Sequence, residues 1–445
     1  MTCAARELTA PASLLALHRQ FPDQWPYLLA SSASAGKLGR WSLLLRAADE
    51  APLILDQAAV GAGPGFLDEL ADRQREAESE SSDRRFPFCG GWFVYLGYEL
   101  AGEIEPGLKL ARSRDGLPAA LARRCRSALL HDHLDDRYWL VAEDQAELAR
   151  AGDDIERLDD RSDPGGAAPP ELDLNADPGE RFKSGVERIR DYIRDGDVFQ
   201  VNLSRGWEAT GREAIDPASI YRALAGSNPA PFAALARLPG GTVVSSSPER
   251  LVSVDGEFVQ TRPIAGTRPR GQSEEADSRL TSELVSHPKE RAEHIMLIDL
   301  ERNDLGRVCR IGSIEVDELM VIESYAHVHH IVSNVRGLLR EGMTAADVIR
   351  AVFPGGTITG CPKVRCMEII AELEQQGRGC YTGALGYLGR DGRMDLNILI
   401  RSMVVGGNRI TFRTGAGIVA DSDPAAELAE TEDKARGLLA AIGHG

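Results

Sequence analysis

The chain has 445 residues, of which 43% are hydrophobic, 27% charged and 6% aromatic, a composition typical of a globular protein with roughly two to four domains. Its 51 basic and 68 acidic residues give a formal net charge of −17, which argues against a chain-wide surface for nucleic acid or acidic membrane lipids because such surfaces need a positive field. No apolar run approaches the roughly 18 residues of a membrane-spanning helix, and the first residues lack the order of a signal peptide. Seven cysteines without a CxxC pair predict no disulfide framework and favour a cytoplasmic location.

The N-terminal part of the chain contains short β-rich segments bounded by turn residues. Strands are predicted at residues 41–46, 91–96 and 138–142. Between the first two, residues 71–85 are charged and almost without large apolar side chains, which predicts an exposed loop or a solvated helix.

An acidic segment rich in proline and glycine divides the chain. It spans residues 152–180 and is interpreted as a linker or a long crossing loop. The predicted organisation is therefore an N-terminal region at 1–151, the linker, and a C-terminal domain at 181–445.

The C-terminal part mixes strands with helices. Its pattern predicts strands at 241–245 and 398–405, a helix at 180–195, and a second helix at 288–303 that begins with proline at the favoured first position. The strands occur in hairpin-like groups rather than in strict alternation with helices, which favours an α+β fold over a doubly wound one.

Two predicted helices each carry a pair of glutamates at positions i and i+3, Glu290 with Glu293 and Glu427 with Glu430. This spacing directs both carboxylates to one side of a helix. Two such pairs facing each other would form an oxygen-lined site for Mg²⁺, which prefers carboxylates, water and substrate oxygens. The alternative is that each pair belongs to an ordinary solvated helix surface.

A glycine-rich segment and two cationic side chains could bind a carboxylate or another anion. Residues 414–418 read TGAGI, whose successive backbone N–H groups could bind a carboxylate oxygen, unless the segment is a tight turn. Arg401 could make a bidentate carboxylate contact, although a lone arginine is more often structural. The segment 355–363 lacks Walker A spacing, and its Lys363 either forms a salt bridge or binds an anion.

Three histidines, His327, His329 and His330, occur within four residues. No cysteine or second histidine group has zinc-ligand spacing. Because a strand alternates its faces, His327 and His329 would point one way and His330 the other. A single inward histidine acting as an acid, a base or a hydrogen-bond donor is therefore favoured over a metal site.

Four long motifs, taken together, resemble the chorismate-utilising enzymes. They are TRPIAGTRPRG at 261–271, HPKERAEHIMLIDLERNDLGRV at 287–308, FPGGTITGCPKVRCMEIIAELE at 353–374 and RTGAGIVADSDPAAE at 413–427. The family includes component I of anthranilate synthase and of aminodeoxychorismate synthase, together with isochorismate and salicylate synthases. The resemblance implies an α+β fold in which two antiparallel β-sheets pack as a sandwich with helices outside.

The resemblance also implies roles for particular side chains. The carboxylates of Glu290, Glu293, Glu427 and Glu430 would surround Mg²⁺ and the ring carboxylate of chorismate. The implied catalytic residues are Glu249, His330 and Thr267, and the proton donor for the leaving C4 hydroxyl is either Glu249 or His330. The implied substrate-binding residues are Gln200, Ala265, Thr357, Lys363, Tyr381, Arg401, Gly415, Ala416 and Gly417.

Details of the motifs bear on the product. Isochorismate and salicylate synthases carry a water-activating lysine where this chain has Gln200, so an amine nucleophile fits better than water. The segments 200–204, 328–333, 357–363 and 394–402 look like aminodeoxychorismate synthase, which favours 4-amino-4-deoxychorismate as the product. Ala265 instead matches anthranilate synthases, because many aminodeoxychorismate synthases have a nucleophilic lysine there, and anthranilate plus pyruvate is the alternative.

The expected partner is a separate glutamine amidotransferase subunit. The chain has no nucleophile-elbow cysteine of a class I glutaminase, so ammonia must come from that subunit or from solution. A relative that binds chorismate or tryptophan without catalysis is the non-enzyme alternative, and the intact site residues argue against it.

Related enzymes hold tryptophan in a pocket near the N-terminal region, as an inhibitor or as a structural ligand. The matching positions in this chain are Ser31, Ser32, Arg40, Asn228, Pro229 and Phe232. The alternative is ordinary interdomain packing.

Overall fold

The computed structural model describes residues 3–9, 13–31, 39–63, 65–78, 83–159, 171–271, 273–286, 288–324 and 328–444. Within these ranges the helices are α1 (Leu14–Gln20), α2 (Phe66–Glu76), α3 (Ala101–Ile104), α4 (Gln145–Glu156), α5 (Gly179–Arg194), α6 (Pro217–Ser227), α7 (Glu274–Ser286), α8 (Pro288–Gly306), α9 (Ala345–Val352), α10 (Lys363–Glu374) and α11 (Pro424–Ala441). Short 3₁₀ helices lie at Tyr98–Leu100 and Gly356–Ile358.

The strands of the same ranges are β1 (Ala4–Leu8), β2 (Tyr27–Ala30), β3 (Trp41–Ala47), β4 (Leu53–Leu55), β5 (Gly91–Leu96), β6 (Ala120–Asp132), β7 (Arg137–Ala142), β8 (Leu172–Ala176), β9 (Gln200–Gly211), β10 (Phe232–Leu238), β11 (Gly241–Ser247), β12 (Arg250–Asp255), β13 (Phe258–Thr261), β14 (Ile264–Pro269), β15 (Glu315–Ser324), β16 (Val328–Leu338), β17 (Gly360–Cys361), β18 (Ala384–Gly389), β19 (Met394–Asn397), β20 (Ser402–Gly406) and β21 (Arg409–Ile418).

The strands form two antiparallel sheets that share the 13-residue strand β6. The first sheet has the order β1-β7-β6-β3-β2-β10-β11-β20-β21-β9, and β8 and β17 pair with the other side of β9. The second has the order β4-β6-β5-β18-β19-β12-β13-β16-β15, with β14 following β13 along β16. The predicted α+β fold built on antiparallel sheets is confirmed.

Apolar side chains fill the space between the two sheets. Tyr27 of the first sheet stacks on Phe93 of the second, with ring centroids 3.8 Å apart. Leu43, Leu385 and Val404 belong to the same buried cluster, which draws on both sheets. Burial of these side chains on facing strands supplies the hydrophobic contribution that holds the sheets together.

The helices cover the outer faces of the sheets. α1, α4, α6 and α11 share a buried cluster with strands of the first sheet, and α2, α8 and α9 share another with strands of the second. α5 and α10 pack on β9 and β21. In α5 the buried residues Phe182, Val186 and Ile189 recur every three or four positions, which gives one apolar face.

Several sequence-based boundaries need correction. Residues 71–76 form the end of α2, where Ala71 is buried but Asp72, Arg75 and Glu76 are exposed, so this part of the segment is the solvated helix of the two predicted alternatives. The strand predicted at 398–405 begins only at Ser402. The segment 152–180 starts inside α4 and includes β8, which pairs with β9, while its residues 160–170 lie outside the described ranges.

Strand pairing crosses the predicted boundary between the N-terminal and C-terminal parts. β2 pairs with β10, and β5 pairs with β18. The division into 1–151, 152–180 and 181–445 stays a prediction, but both parts contribute to each sheet.

All seven cysteines are free thiols in this structure. In the part of the chain that is described, no helix is both long enough and apolar enough to cross a membrane.

Candidate active site

Strand β21 approaches its neighbours so closely that two of its residues have no room for a side chain. A Cβ atom on Gly415 would lie 2.6 Å from the hydroxyl of Tyr381 and 3.1 Å from Oδ1 of Asn202. A Cβ atom on Gly417 would collide with the carboxamide of Gln200, on the adjacent strand β9. The TGAGI segment is therefore part of a strand rather than a tight turn, and it brings backbone against two predicted site residues.

Arg401 lies in an irregular segment between β19 and β20, where the sequence predicted a strand. Its φ of +53° lies in the left-handed region, as does the φ of +63° at Thr382. Non-glycine residues in such conformations cost about 1–3 kcal/mol and persist when their surroundings hold them. Thr382 donates its N–H to Leu399 at 2.8 Å, and the carbonyl of Arg401 accepts from Ser246 at 3.1 Å. These hydrogen bonds hold the backbone of Thr382 and Arg401 in its positive-φ conformation next to Tyr381.

The guanidinium of Arg401 lies among other predicted site residues. It interacts electrostatically with Tyr381 and Glu430, and its charge acts on His330. Burial lowers the pKa of Arg401 and raises the pKa of Tyr381. A partly buried guanidinium beside a phenol is suited to bidentate binding of a carboxylate.

A buried ion-pair cluster supports this wall of the site. Glu374 accepts hydrogen bonds from Arg378 at 2.7 Å and from Arg413 at 3.0 Å. Arg378 also donates to the carbonyl oxygens of Asn202 at 2.7 Å and Ile358 at 3.1 Å. The cluster therefore connects α10 to strand β9 and to the 3₁₀ helix Gly356–Ile358.

Glu249 is a buried carboxylic acid with only 5% of its surface exposed. Burial raises its pKa to about 7, against smaller lowering effects from the Thr357 hydroxyl, a backbone N–H and the charge of Lys434. Neither Oε1 of Glu249 nor Oγ1 of Thr357 has a hydrogen bond of ordinary geometry among the described residues. A carboxyl group of this kind holds its proton near neutral pH and can donate it.

The two described histidines of the cluster have separate partners. His329 contacts Ser324 at 2.7 Å and Asp277 at 2.8 Å. Nδ1 of His330 faces the carbonyl oxygen of Gly266 at 3.4 Å, and burial lowers the pKa of His330 to about 4. His330 is therefore neutral near pH 7, and His327 lies outside the described residues.

Both predicted carboxylate pairs lie on helices, as expected. On α8, Glu290 contacts Arg268 at 3.2 Å, and a Cβ atom on Gly266 would lie 2.6 Å from its Oε2. On α11, Glu430 pairs with Lys434 at 2.5 Å, and Lys434 donates to the carbonyl oxygen of Gly415 at 3.0 Å. Each pair thus has one member beside a strand of the site.

The four carboxylates fit Mg²⁺ in their chemistry, because they offer only hard oxygen ligands. Among the described residues, no three His, Cys, Asp or Glu side chains are close enough to hold a metal by themselves. Mg²⁺ is commonly bound through one or two carboxylates together with water and substrate oxygens, so this open arrangement is compatible with it.

Strand β14 carries two further predicted site residues. Its backbone register places Thr267 opposite His330 and Ala265 opposite Ile331 on β16. Both positions therefore lie on the strand adjacent to that of His330. Gly266, the residue between them, contacts the carboxylate of Glu290.

Lys363 has protein partners in the structure. Its Nζ lies 2.5 Å from Oδ2 of Asp304 and 3.0 Å from the carbonyl oxygen of Val352. Of the two readings left open by the sequence, the salt bridge is observed, and a direct role of Lys363 in holding substrate stays a prediction.

Several buried polar atoms of predicted site residues have no hydrogen-bond partner within the described residues. They are Oε1 of Gln200, Oδ1 of Asn202, Oε1 of Glu249 and Oγ1 of Thr357, and atoms of this kind also occur elsewhere in the protein. Most buried polar atoms in proteins are hydrogen-bonded. The side chains of Gln200 and Asn202 lie beside Gly417 and Gly415 of β21, and that of Thr357 lies beside Glu249.

The sequence pattern of the family described as chorismate binding enzyme matches residues 46–440. The chain belongs to the chorismate-binding enzymes. Its relatives include proteins named as anthranilate synthases and as an aminodeoxychorismate synthase. It is 44% identical to the anthranilate synthase component I-like protein of Synechocystis over 385 residues, covering 85% of this chain and 78% of that protein. It is 41% identical to aminodeoxychorismate synthase component 1 of Bacillus subtilis over 375 residues, covering 82% and 79%.

A solved structure of a chorismate-binding enzyme has the same fold. Anthranilate synthase component I from Streptococcus pneumoniae superposes with a TM-score of 0.79 at 31% identity, covering 91% of this chain and 93% of that one. This chain is therefore a chorismate-utilising enzyme by family, and the two kinds of relative leave its product open.

Sequence reasoning assigned no role to three buried or partly buried charged residues next to the site. Lys434 and Asp304 are the partners described above, and Glu301 lies on α8 with 6% of its surface exposed. Asp304 and Glu301 fall inside the motif at 287–308, whereas Lys434 lies beyond the motif at 413–427. The available signal was a charge at a position where the helix faces the core.

A cavity of about 160 Å³ lies between the sheets near the predicted tryptophan position. Arg40 and Phe232 line it, and Ser31 directly follows the lining residue Ala30. Asn228 does not line the cavity, and its side-chain amide donates to the carbonyl oxygen of Ser246. Pro229 does not line it either, and Ser32 lies outside the described residues.

Proposed function

We propose that this enzyme aminates chorismate at C4, with ammonia, to give 4-amino-4-deoxychorismate. The proposal of an amine rather than water as the nucleophile depends on Gln200. Its carboxamide lies beside Gly417, and a neutral amide cannot serve as the base that activates water. The motifs around Gln200, Lys363 and Arg401 favour C4 as the position of the new amine.

Binding of chorismate requires recognition of two carboxylates. Arg401, the hydroxyl of Tyr381 and the backbone of residues 415–417 would hold the enolpyruvyl carboxylate. The clustering of Arg401 with Tyr381, and of Tyr381 with Gly415, supports this assignment. Because the protein is acidic overall, a focused buried cation is needed to attract a dianion.

Glu249 is the proposed proton donor to the departing C4 hydroxyl. With its pKa raised to about 7 by burial, it is substantially protonated at neutral pH, whereas His330 is neutral and carries no acidic proton of the imidazolium type. General acids work best when their pKa lies near the operating pH. His330 would instead act as a hydrogen-bonding contact for the substrate.

Glu290, Glu293, Glu427 and Glu430 would hold Mg²⁺ with the ring carboxylate. When bound, the ion would draw electron density toward that carboxylate. Glu290→Gln and Glu430→Gln are expected to abolish chorismate consumption without unfolding the protein, whereas the exposed Glu432→Gln on the same helix as Glu430 is not. Full turnover in EDTA would refute the assignment.

Ala265 cannot form a covalent bond to the ring, so ammonia itself must react. Ammonia adds at C2 while the C4–O bond breaks, Glu249 protonates the oxygen, and water leaves. The proton that Glu249 gives up is replaced by one that the added nitrogen loses. A second ammonia then adds at C4 as the C2–N bond breaks, and the proton that the C4 nitrogen loses is taken up by the C2 nitrogen, which leaves as ammonia. The net reaction consumes one ammonia and releases one water.

The alternative function is that of anthranilate synthase. Two observations favour it, Ala265 in the PIAGT segment and the number of similar relatives with that name. In this case the C2 amine is retained, and the enolpyruvyl group leaves as pyruvate while the ring becomes aromatic.

A coupled assay separates the two products. The pure chain is incubated with chorismate, Mg²⁺ and ammonium, and anthranilate fluorescence and pyruvate are followed. A parallel reaction contains an aminodeoxychorismate lyase, and 4-aminobenzoate is measured. The proposal predicts 4-aminobenzoate only with the lyase and little anthranilate, and stoichiometric anthranilate and pyruvate from the chain alone would refute it.

The physiological ammonia source would be a separate glutamine amidotransferase subunit. Adding a cognate glutaminase with glutamine is expected to replace ammonium in the assay. If the enzyme is active with ammonium but not with glutamine and any glutaminase from the same cells, free ammonia is the source and the proposed partner is refuted.

The 160 Å³ cavity is proposed to take tryptophan. Its aromatic side chains Trp41, Phe232 and Tyr387 suit an indole ring. Arg40 and Asp395 also line it, and in this structure they are paired with Asp132 and Arg250, respectively. Calorimetry should detect tryptophan binding that Phe232→Ala weakens. Absence of binding to the intact protein would show that the cavity is ordinary packing.

A further inference from the structure

Residues 378–383 lie between α10 and β18 and carry Tyr381. The first three backbone N–H groups of this segment donate to carboxylate side chains from the N-terminal part of the chain. Glu99 accepts the first two, at 2.8 and 3.1 Å, and Asp115 accepts the third, that of Cys380, at 2.8 Å. Most backbone N–H groups in proteins bond to other backbone groups, so two carboxylates that hold three consecutive donors form a distinct arrangement.

The next two N–H groups of the segment are bonded as well. Tyr381 donates to the carbonyl oxygen of Arg378 at 3.1 Å, and Thr382 donates to that of Leu399 at 2.8 Å. The segment is therefore held from two sides, by the two carboxylates on one side and by the residues just before Arg401 on the other. Loss of a carboxylate would leave buried N–H groups without partners, and the segment would have to move to satisfy them.

The N-terminal part of the chain approaches this segment closely. Glu99 lies in the 3₁₀ helix Tyr98–Leu100 with 3% of its surface exposed, and the N–H of Tyr98 donates to the carbonyl oxygen of Gly379 at 2.8 Å. Gly379 has a φ of +59°, and a Cβ atom there would collide with the carboxylate of Asp115. Glycine at this position therefore lets Asp115 reach the backbone of the segment.

The segment sets the position of Tyr381 in the candidate site. The Tyr381 hydroxyl lies 2.6 Å from the place that a Cβ atom on Gly415 would take, and the side chain interacts electrostatically with Arg401. Because the phenol ring is rigid, a shift of the backbone is passed on to the hydroxyl. A displacement of about 1 Å in a positioned group can cost a factor of about 100 in rate.

We propose that Glu99 and Asp115 are positioning residues that hold the Tyr381 hydroxyl where it can bind a carboxylate of chorismate. The inference rests on the proposed role of Tyr381 in binding the enolpyruvyl carboxylate. That carboxylate takes no part in the bond changes at C2 and C4 of the proposed amination. The two residues therefore act on the binding of chorismate more than on the chemical step.

The test compares chorismate consumption by Glu99→Leu, Glu99→Gln and Asp115→Asn. Leucine removes both acceptor oxygens, whereas glutamine keeps one oxygen that can replace Oε1, which accepts both N–H groups. Asparagine has one acceptor oxygen for the two N–H groups that Asp115 binds through different oxygens, those of Cys380 and Leu117. In Glu99→Leu and Asp115→Asn we expect KM to rise by about tenfold with kcat within about twofold, and in Glu99→Gln we expect KM to stay within about threefold of the unmodified value.

The matched control is Glu103→Leu. Glu103 also accepts two consecutive backbone N–H groups, those of Phe66 and Leu67 at the start of α2, at 2.8 and 3.0 Å. This contact lies outside the candidate site, so the substitution should lower the free energy of unfolding and leave KM unchanged. An unchanged KM in folded Glu99→Leu and Asp115→Asn, or the same rise in Glu103→Leu, would overturn the proposal.

Combination with Tyr381→Phe shows whether the carboxylates act through the tyrosine. Once the hydroxyl is absent, Asp115→Asn should raise KM by no more than about a further twofold, because substitutions that remove the same contact are not additive. Effects on KM that multiply in full would overturn the proposal, since Asp115 would then act independently of Tyr381.

Amide hydrogen exchange of residues 378–383 gives a readout that does not depend on turnover. Exchange there should become about tenfold faster or more in Asp115→Asn and stay unchanged in Glu103→Leu. Unchanged exchange in Asp115→Asn would overturn the proposal. If the unmodified enzyme neither binds nor consumes chorismate, the proposed function has failed, and the exchange result still decides whether the two carboxylates hold the segment.

Discussion

Two clusters of buried charged residues flank the candidate site and differ in the protonation of their carboxyl groups. In the first, Glu374 is ion-paired to Arg378 and Arg413, and although burial opposes its ionisation, the two arginines hold its pKa below the usual value. In the second, Glu249 and Glu301 are equally buried, and burial raises their pKa values to about 7 and about 8. Burial alone therefore does not decide whether a carboxyl group is ionised or keeps its proton near neutral pH, and the number of paired cations does.

The largest expected effect comes from Glu374→Gln. It would leave two buried guanidinium groups without their counter-ion, and breaking a buried pair in this way costs about 3–5 kcal/mol. The free energy of unfolding measured with denaturant should fall accordingly. Glu372→Gln, at an exposed position on the same helix, should change it little. Equal free energies of unfolding for the two variants would contradict the claim that Glu374 is an ion-paired carboxylate that stabilises the fold.

Glu249→Gln should impair activity and not stability. The substituted side chain keeps its shape and is neutral, so the free energy of unfolding should stay the same or rise. Chorismate consumption should fall by about 100-fold or more, as expected for loss of a general acid. The exposed Glu257→Gln serves as the control for both measurements. Substantial residual activity would assign proton donation to another group.

The two clusters also mark what sequence can and cannot predict. The motifs identified the fold, Glu249 and the glycines of β21, because each of these is carried by a local pattern. Glu301 and Glu374 could not be assigned in this way, since their protonation depends on cations supplied by residues distant in the chain, such as Arg413 for Glu374. The pairing of charges across elements is a property of the tertiary structure.

Arg401 illustrates the same limit at the level of the backbone. Its apolar neighbours predict a strand at 398–405, but residues 398–401 leave the strand pattern and Arg401 adopts a positive φ. The hydrogen bonds that hold this conformation come from Ser246 and, through Leu399, from Thr382. A local propensity could not reveal these partners.

Lys363→Met probes the second cluster. It removes the cation paired with Asp304, a buried carboxyl group whose charge acts on Glu301. We expect destabilisation of about 1–3 kcal/mol near neutral pH, because Asp304 must then be buried as an unpaired charge or protonated. Loss of stability should be smaller at pH 5 than at pH 8, and thermal unfolding at both pH values measures it. A loss independent of pH would show that the lysine acts through packing.

The smallest expected effect is on the pH dependence of stability. A carboxyl group whose pKa is raised on folding binds its proton more tightly in the folded state, so its contribution is present at low pH and is lost as the pH rises toward about 7 or 8. Each such group contributes a slope of at most about 1.4 kcal/mol per pH unit. Glu249→Gln and Glu301→Gln should each flatten the fall in stability between pH 5 and 8.

Glu374 has the opposite sign. Its lowered pKa stabilises the folded state above the pKa of the unfolded chain, and this contribution is lost as the pH falls through the folded pKa. Glu374→Gln should therefore leave the slope between pH 5 and 8 unchanged and weaken the loss of stability in acid. Denaturant unfolding across this range gives both slopes.

The fate of ¹⁵N from labelled ammonium tests the proposed reaction most directly. Chorismate is converted by the pure chain with Mg²⁺ and ¹⁵N-ammonium, and the products are resolved by mass spectrometry and NMR. The account predicts ¹⁵N on C4 of a ring that keeps its enolpyruvyl group. Label on an aromatic ring at the position next to the carboxylate, with one pyruvate released for each nitrogen incorporated, would contradict it and assign the chain to anthranilate formation.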